Sequence, residues 1–185
     1  LCTSNLPEPT ISPNADTQPN DHFIPYTYTA DNTDNKARTG MGFQPDFLWF
    51  KDRTTAFSDT LYDSSRGVNK YLQTNNANAE NTSSDLMSSF DSDGFTTQTD
   101  GSSGNLLNYT SDNYIVWSWK ANGGTLTTND ASATSVGTID SQYQANTTAG
   151  FSIVTYTGTG SEGTLAHGLN SAPEVLIIKN RTDGR

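Results

Sequence analysis

The chain has a single cysteine, Cys2, in 185 residues. It therefore builds neither an intrachain disulfide framework nor a cysteine-based zinc site, and Cys2 reads as a bland buried or terminal thiol. Histidine occurs only at His22 and His167, and glutamate only at Glu8, Glu80, Glu162 and Glu174. Basic residues are also few: ten Lys+Arg face twenty Asp+Glu, a formal charge of -10 with a pI near 4.3. That balance cannot form the phosphate-neutralising surface on which nucleic-acid affinity depends, and an anionic membrane surface repels it. No run of 18 apolar residues is present, so no membrane-spanning helix is expected. The opening LCTSNLPEPT has neither the basic nor the apolar region of a signal peptide, and coiled-coil heptads are missing throughout.

Aliphatic residues are scarce as well. Leu, Ile, Val and Phe together make 32 of 185 residues, a share that by itself predicts disorder. The aromatic residues oppose that reading, because three Trp, eight Tyr and eight Phe are far more ring surface than disordered chains carry. The expectation is a thin, aromatic-rich core under a Ser/Thr/Asn/Asp surface. Strands suit it, since Thr and aromatic side chains favour pleated half-buried surfaces while Gly, Asn and Asp make turns.

A long internal repeat is present. Tyr28-Thr29 recurs as Tyr156-Thr157 and Gly40 as Gly168. The stretch from Pro45 to Thr54 (PDFLWFKDRT) recurs from Pro173 to Thr182 (PEVLIIKNRT). Each pair is offset by 128 positions (156-28, 168-40, 173-45). A period of that length is a domain, not a solenoid turn or propeller blade. The expected organisation is an extended Pro-rich connector over 1-22, a first unit over 23-150, and the truncated start of a second unit over 151-185. An opening without Met and a stop inside the repeated pattern predict a segment of a longer protein.

Within the first unit, Phe47 to Lys51 and Tyr114 to Ala121 are apolar on both faces, the pattern of central strands covered on two sides. Shorter strands are expected at Tyr26 to Ala30, Thr60 to Asp63, Lys70 to Gln73, Phe95 to Thr99 and Phe151 to Tyr156. One helical turn is expected within Asn75 to Ser89. Short strands separated by Asn-Gly, Ser-Gly, Asp-Gly and Gly-Gly turns predict an all-β fold, an antiparallel sandwich or jelly roll.

Catalytic patterns are weak. No Glu-x-Asp-x-x-Glu arrangement supplies the paired carboxylates of a sandwich glucanase, although Asp pairs leave hydrolysis open. Asp63-Ser64-Ser65-Arg66-Gly67 lacks the Gly-x-Ser-x-Gly elbow, and the first unit has no histidine for a triad. Asp91 and Asp93 before Gly94 resemble the opening of a calcium loop without its bidentate Glu; the competing reading is a turn whose Asp side chains cap backbone N–H groups, with Gly94 at positive φ. Lys51 and Arg53, repeated as Lys179 and Arg181, suit either an acidic sugar or structural ion pairs to carboxylates such as Asp46 or Asp63, and the structural role is favoured. Trp49, Trp117 and Trp119 can stack on sugar rings if exposed; Trp117 and Trp119 share a face with Ile115, which places at least one in the core. Sequons stand at Asn81, Asn108, Asn146 and Asn180.

Taken as a set, Leu6 to Ile11, Gly42 to Arg53, Tyr62 to Leu72, Ser89 to Phe95, Tyr114 to Ala121 and Gly150 to Gly160 resemble a repeated domain in large structural proteins of tailed bacteriophages, especially of marine and cyanobacterial hosts. Such proteins are called tail fibre, capsid fibre or concanavalin A-like lectin proteins. The resemblance covers nearly the whole chain and departs at Ala30-Asp31-Asn32, where relatives have a turn like Gly158-Thr159-Gly160. It implies a virion component made of tandem β-sandwich domains that adheres to a host surface, a glycan above all. Implied partners are other virion proteins and copies of the chain itself, a trimer being common in such fibres. It supplies no catalytic, cofactor or metal residues and names no ligand-binding residue. The other reading is a lectin-like module of a larger secreted or surface protein.

Overall fold

The computed structural model describes residues 11-12, 17-99 and 106-183. Cys2, Glu8 and nearly all of the Leu6 to Ile11 motif lie outside the described residues. Strands β1 (Phe23–Thr29), β2 (Lys36–Thr39), β3 (Phe47–Asp52), β4 (Thr60–Asp63), β5 (Lys70–Gln73), β6 (Asn81–Thr82), β7 (Met87–Asp91), β8 (Gly94–Thr97) and β9 (Asn113–Trp119) come first. They are followed by β10 (Thr127–Asn129), a short helix α1 (Ala131–Thr134), β11 (Ser141–Asn146) and β12 (Phe151–Tyr156). The fold is all-β, and every ladder between these strands is antiparallel.

Three sheets form, with strand orders β1-β9-β3-β4-β5-β6, β2-β8-β7 and β10-β11-β12. The apolar strands β3 and β9 take two of the four inner places of the largest sheet, beside β4 and β5, where their hydrogen bonds are satisfied on both edges. β1 is at its edge, and the edge tolerates Pro25, which has no N–H to donate. The β2-β8-β7 sheet lies across one face of the large sheet. Phe95 of β8 meets Phe50 of β3 edge-on at 5.2 Å and approaches Tyr26 and Tyr28 of β1 at 6.2 and 6.4 Å. Tyr28 stacks on Tyr114 at 5.1 Å, while Leu48, Tyr62, Leu86, Met87 and Val116 fill the remaining space. Few aliphatic residues suffice because each ring buries a large area, and well-placed ring pairs add about 0.5–1.5 kcal/mol each.

Polar side chains are used inside this core. Arg38 of β2 lies over the Tyr28 ring at 4.2 Å and donates to Asn108 Oδ1 at 3.0 Å. Asn108 in turn donates to the carbonyls of Thr33 and Gln98, so the fully buried sequon at Asn108 is closed to glycosylation in the folded chain.

The turn between β7 and β8 needs Gly94. Its φ is +149°, and a Cβ there would lie 1.9 Å from the Arg38 carbonyl oxygen of the paired strand. The expected helical turn within Asn75 to Ser89 is not formed. Asn81–Thr82 pairs with β5 and Met87 begins β7, which buries Leu86 and Met87 completely. Tertiary burial of those two residues overrides the weak helical preference of their neighbours. The described helix is α1, and the Asp130 carboxylate caps it by accepting the N–H groups of Ser132 and Ala133.

At the start of the chain, Pro19–Asp21 makes a 3-10 turn, and the His22 carbonyl accepts the Lys120 N–H at 2.8 Å. The last described residues of the expected connector are therefore bound to the end of β9.

Candidate functional site

The face of the large sheet turned away from the core is only half covered. Strand register aligns one row of apolar side chains across five strands: Pro25, Trp117, Trp49, Leu61 and Leu72. In the middle of that row Trp49 and Trp117 meet edge-to-face at 5.7 Å, both half-buried. The next row holds Thr27, Ile115 and Lys51, whose ammonium group is 2.7 Å from Asp59. On β3 the expected cover is complete on one face, where Leu48 and Phe50 are buried, and partial on the other, where Phe47 packs against Trp119 and Phe151 and Trp49 is half-buried.

The row on the other side is an aromatic cluster. Trp119 lies between Phe23 at 4.7 Å and Phe47 at 5.4 Å, and Phe151 of β12 stacks on it at 5.9 Å. Trp119 is half-buried within this aromatic cluster. Neither Trp117 nor Trp119 belongs to the core, contrary to the sequence expectation: Tyr114, Val116 and Ser118 of β9 point into it, and the alternate residues point out. Both faces of β9 are apolar, so the sequence pattern alone does not distinguish inner from outer.

Asp46 organises the end of the sheet nearest Trp119. It is fully buried, and its carboxylate accepts the N–H groups of Ala121 and Gly123 at 2.7 and 2.9 Å, the Ser64 hydroxyl at 2.7 Å and the Gln44 amide at 3.1 Å. Gln144 of β11 donates to both Ser64 and Ser65 and accepts from the Asn122 and Gly124 N–H groups. The Ser64-Ser65 loop is consumed by this network. The signal that could have found Asp46 was the acidic residue retained after Pro45 and Pro173; no comparable signal marked Gln144.

At the opposite edge, Arg66 is held between Asp63 at 2.6 Å and Glu80 at 3.2 Å, and Arg181 also binds Glu80 at 2.7 Å. The carboxylates brought together here are bridged by a guanidinium, so they form a structural ion network and not an acid/base pair. Burial pushes the Glu80 carboxyl up, but hydrogen bonds from Arg181 and Arg66 outweigh it and hold the group below its ordinary value. Lys51 makes an ion pair, as expected, but with Asp59 in place of Asp46 or Asp63. Arg53 is exposed, and its backbone N–H bonds the Asn113 carbonyl.

The Asp91–Asp93 segment takes the turn form. Asp93 accepts the N–H groups of Gly42 and Gly40 at 2.6 and 3.0 Å, which lower its pKa, and Asp91 accepts the Thr96 hydroxyl at 2.7 Å. Among the described residues no group of three or more His, Cys, Asp or Glu side chains is placed to hold a metal ion. His22 receives the Asn146 amide at 2.8 Å; burial, then Lys120, lowers its pKa. The His167 carbonyl accepts the hydroxyl of Ser152 in β12.

The chain belongs to the family described as Domain of unknown function (DUF7483). The family's sequence model matches residues 18–185, which include both rows of the half-covered face and the Arg181–Glu80 contact. No curated protein and no solved structure matches the chain.

Proposed function

We propose that this DUF7483 chain is a structural component of a virion, a fibre or surface-projecting element that presents β-sandwich domains of the jelly-roll, concanavalin A-like kind in tandem and adheres to glycans on a host surface. The observation that carries the reading is the Trp49–Trp117 pair on the sheet face opposite the core. A half-buried indole pair on a rigid sheet is a ready stacking platform for a sugar ring, and its cost in flexibility is already met by the strands beneath it. The 128-residue repeat supports it too, because weak sites in tandem add through avidity on a repetitive surface. An acidic exterior keeps such a chain soluble at the local concentration of a particle.

The reading calls for no catalytic step and no cofactor, and its partners are other virion proteins, copies of the chain and a cell-surface glycan. The same tryptophan pair fits a carbohydrate-binding module of a larger secreted or surface protein. Cryo-electron microscopy of the native particle separates the two. Density for the chain on a capsid or tail supports the virion reading, and its absence from particles transfers the function to the secreted module. A glycan array with the native chain and with Trp117→Ala tests adhesion: binding that survives the substitution removes the tryptophan face from the proposal.

A further inference from the structure

Asn122 and Gly123 form the one Asn-Gly pair in the sequence. They stand in the turn that follows β9 and leads to β10 of the β10-β11-β12 sheet. Successive N–H groups of that turn alternate between two side chains. Ala121 and Gly123 donate to the Asp46 carboxylate at 2.7 and 2.9 Å, while Asn122 and Gly124 donate to Gln144 Oε1, each at 3.2 Å. Gln144 also donates to Ser64 and Ser65, so the turn joins β11 to the large sheet. Asn122 is exposed, and its side-chain amide donates to the Thr125 carbonyl at 3.1 Å. Gly123 has a φ of +61° and nothing within 4 Å of the place a Cβ would take.

A glycine after asparagine leaves its backbone nitrogen unshielded by a Cβ and free to bend toward the asparagine side-chain carbonyl carbon. The open space at Gly123 accommodates the five-membered ring that results. We infer that Asn122 is a site of spontaneous modification, converted through a succinimide to aspartate and isoaspartate, and that Asp46 sets the rate by holding the attacking nitrogen. In the first step the Gly123 nitrogen bonds to Asn122 Cγ, the Cγ–Nδ2 bond breaks, and the amide proton leaves with Nδ2 as ammonia. In the second, water opens the ring: its hydroxyl joins one imide carbonyl carbon and its proton returns to the Gly123 nitrogen. Opening at Cγ gives aspartate, and opening at the main-chain carbonyl gives isoaspartate. Water is the only co-reactant. The Gly123 N–H must first leave Asp46 and the Asn122 amide must leave Thr125, so the folded turn slows the reaction without abolishing it. Isoaspartate lengthens the main chain by one carbon and adds a carboxylate close to the buried Asp46. Gly123 and Gly124 are then displaced from Asp46 and Gln144, which loosens the junction between the two sheets. Asp93-Gly94 is open to the same ring closure by sequence but is blocked by its surroundings: Gly40 and Gly42 hold the Asp93 carboxylate, and Gly94 lies against the Arg38 carbonyl.

The test incubates the whole 185-residue chain at mildly alkaline pH and follows isoaspartate by enzymatic methyl-acceptor labelling and peptide mass mapping. The expected result is isoaspartate at position 122 and none at Asp93, formed more slowly in the folded chain than in the same chain in urea, and lost in Asn122→Gln. Asp46→Asn should speed the reaction about tenfold or more, the factor for losing a charge-assisted hydrogen bond. Phe50→Ala, which opens the core between the packed sheets, should change it little under conditions where both variants stay folded. The aged chain should lose amide-exchange protection in 121-125 and 141-146 and keep it in 113-118. No isoaspartate at position 122 over a period that converts the chain in urea overturns the site. Equal acceleration by Asp46→Asn and Phe50→Ala shows that global unfolding sets the rate and overturns the role of Asp46. Isoaspartate at position 122 with unchanged exchange overturns the loosening of the junction.

Discussion

Asp46 and Ala121 lie 75 positions apart in the chain and are joined by a 2.7 Å hydrogen bond in which a fully buried carboxylate accepts a backbone N–H. The same carboxylate reaches Gly123 and Ser64, so one side chain at the start of β3 fixes the ends of β9 and β4. A buried charge survives there because several donors solvate it in place of water.

Asp46→Ala leaves the Ala121 and Gly123 N–H groups without their acceptor. The expected loss is about 3 kcal/mol or more, read as a lower midpoint in urea with an unchanged slope. Asp46→Asn, which keeps shape but loses charge and one acceptor, should fall between the native chain and Asp46→Ala. Equal midpoints for all three would remove Asp46 from the architecture.

The two faces of β3 should differ sharply in their tolerance of truncation. Phe50→Ala opens a cavity between the two packed sheets and should cost about 3–5 kcal/mol. Trp117→Ala and Trp49→Ala, on the half-covered face, should cost about 1–2 kcal/mol despite removing a larger ring. Thermal unfolding of the three variants orders them; a Trp49 variant as unstable as the Phe50 variant would make the outer face a second core.

Gly94 and Gly42 separate two glycine roles. Gly94→Ala places a Cβ 1.9 Å from a backbone oxygen in the neighbouring strand, where neither strand can yield cheaply, and should cost more than about 2 kcal/mol. Gly42, at φ +75° with open space around it, should lose only about 1 kcal/mol on substitution by Ala, the cost of left-handed backbone in a residue with a Cβ. Matched denaturation curves decide the comparison.

The pH profile follows from carboxylates held below their ordinary values: Glu80 by Arg181 and Arg66 against the opposing effect of burial, Asp93 by the Gly42 and Gly40 amides, Asp130 by the Ser132 hydroxyl and the Ala133 and Ser132 amides. The unfolded chain binds protons on these groups before the folded chain does. Their stabilisation is therefore complete above the ordinary carboxylate range and is lost as pH falls through it to the lower folded values. His22, with a depressed folded value set first by burial and then by Lys120, adds a separate loss as pH falls below the ordinary imidazole range. Urea midpoints measured from pH 8 to pH 3 should decline in two stages, and Asn substituted for His22 should remove the upper one.

Much of the large sheet was legible in the sequence. Thr60–Asp63 and Lys70–Gln73 stand where their β-branched and aromatic residues between turn signals placed them, and β3 and β9 are inner strands, as their continuous apolar runs indicated. β2, β7 and β11 were not legible. KART, MSSFD and SQYQAN carry no alternating pattern strong enough to announce a strand. Each is a strand because a neighbour already in place offers it a ladder of backbone hydrogen bonds.

The sequence by itself determined the all-β class, the acidic charge balance, the repeated segment and the reliance on aromatic rings, because these follow from residue type and spacing. Only the tertiary structure decided which face of β9 is the core, that Asp46 joins three strand ends, that Trp119 packs among Phe23, Phe47 and Phe151 while Trp49 and Trp117 meet each other, and that Glu80 gathers two arginines. Those outcomes depend on which strands become neighbours and in what register. Where two faces of a strand are equally apolar, or a carboxylate's donors lie 75 residues away, that information is not local to any stretch of chain.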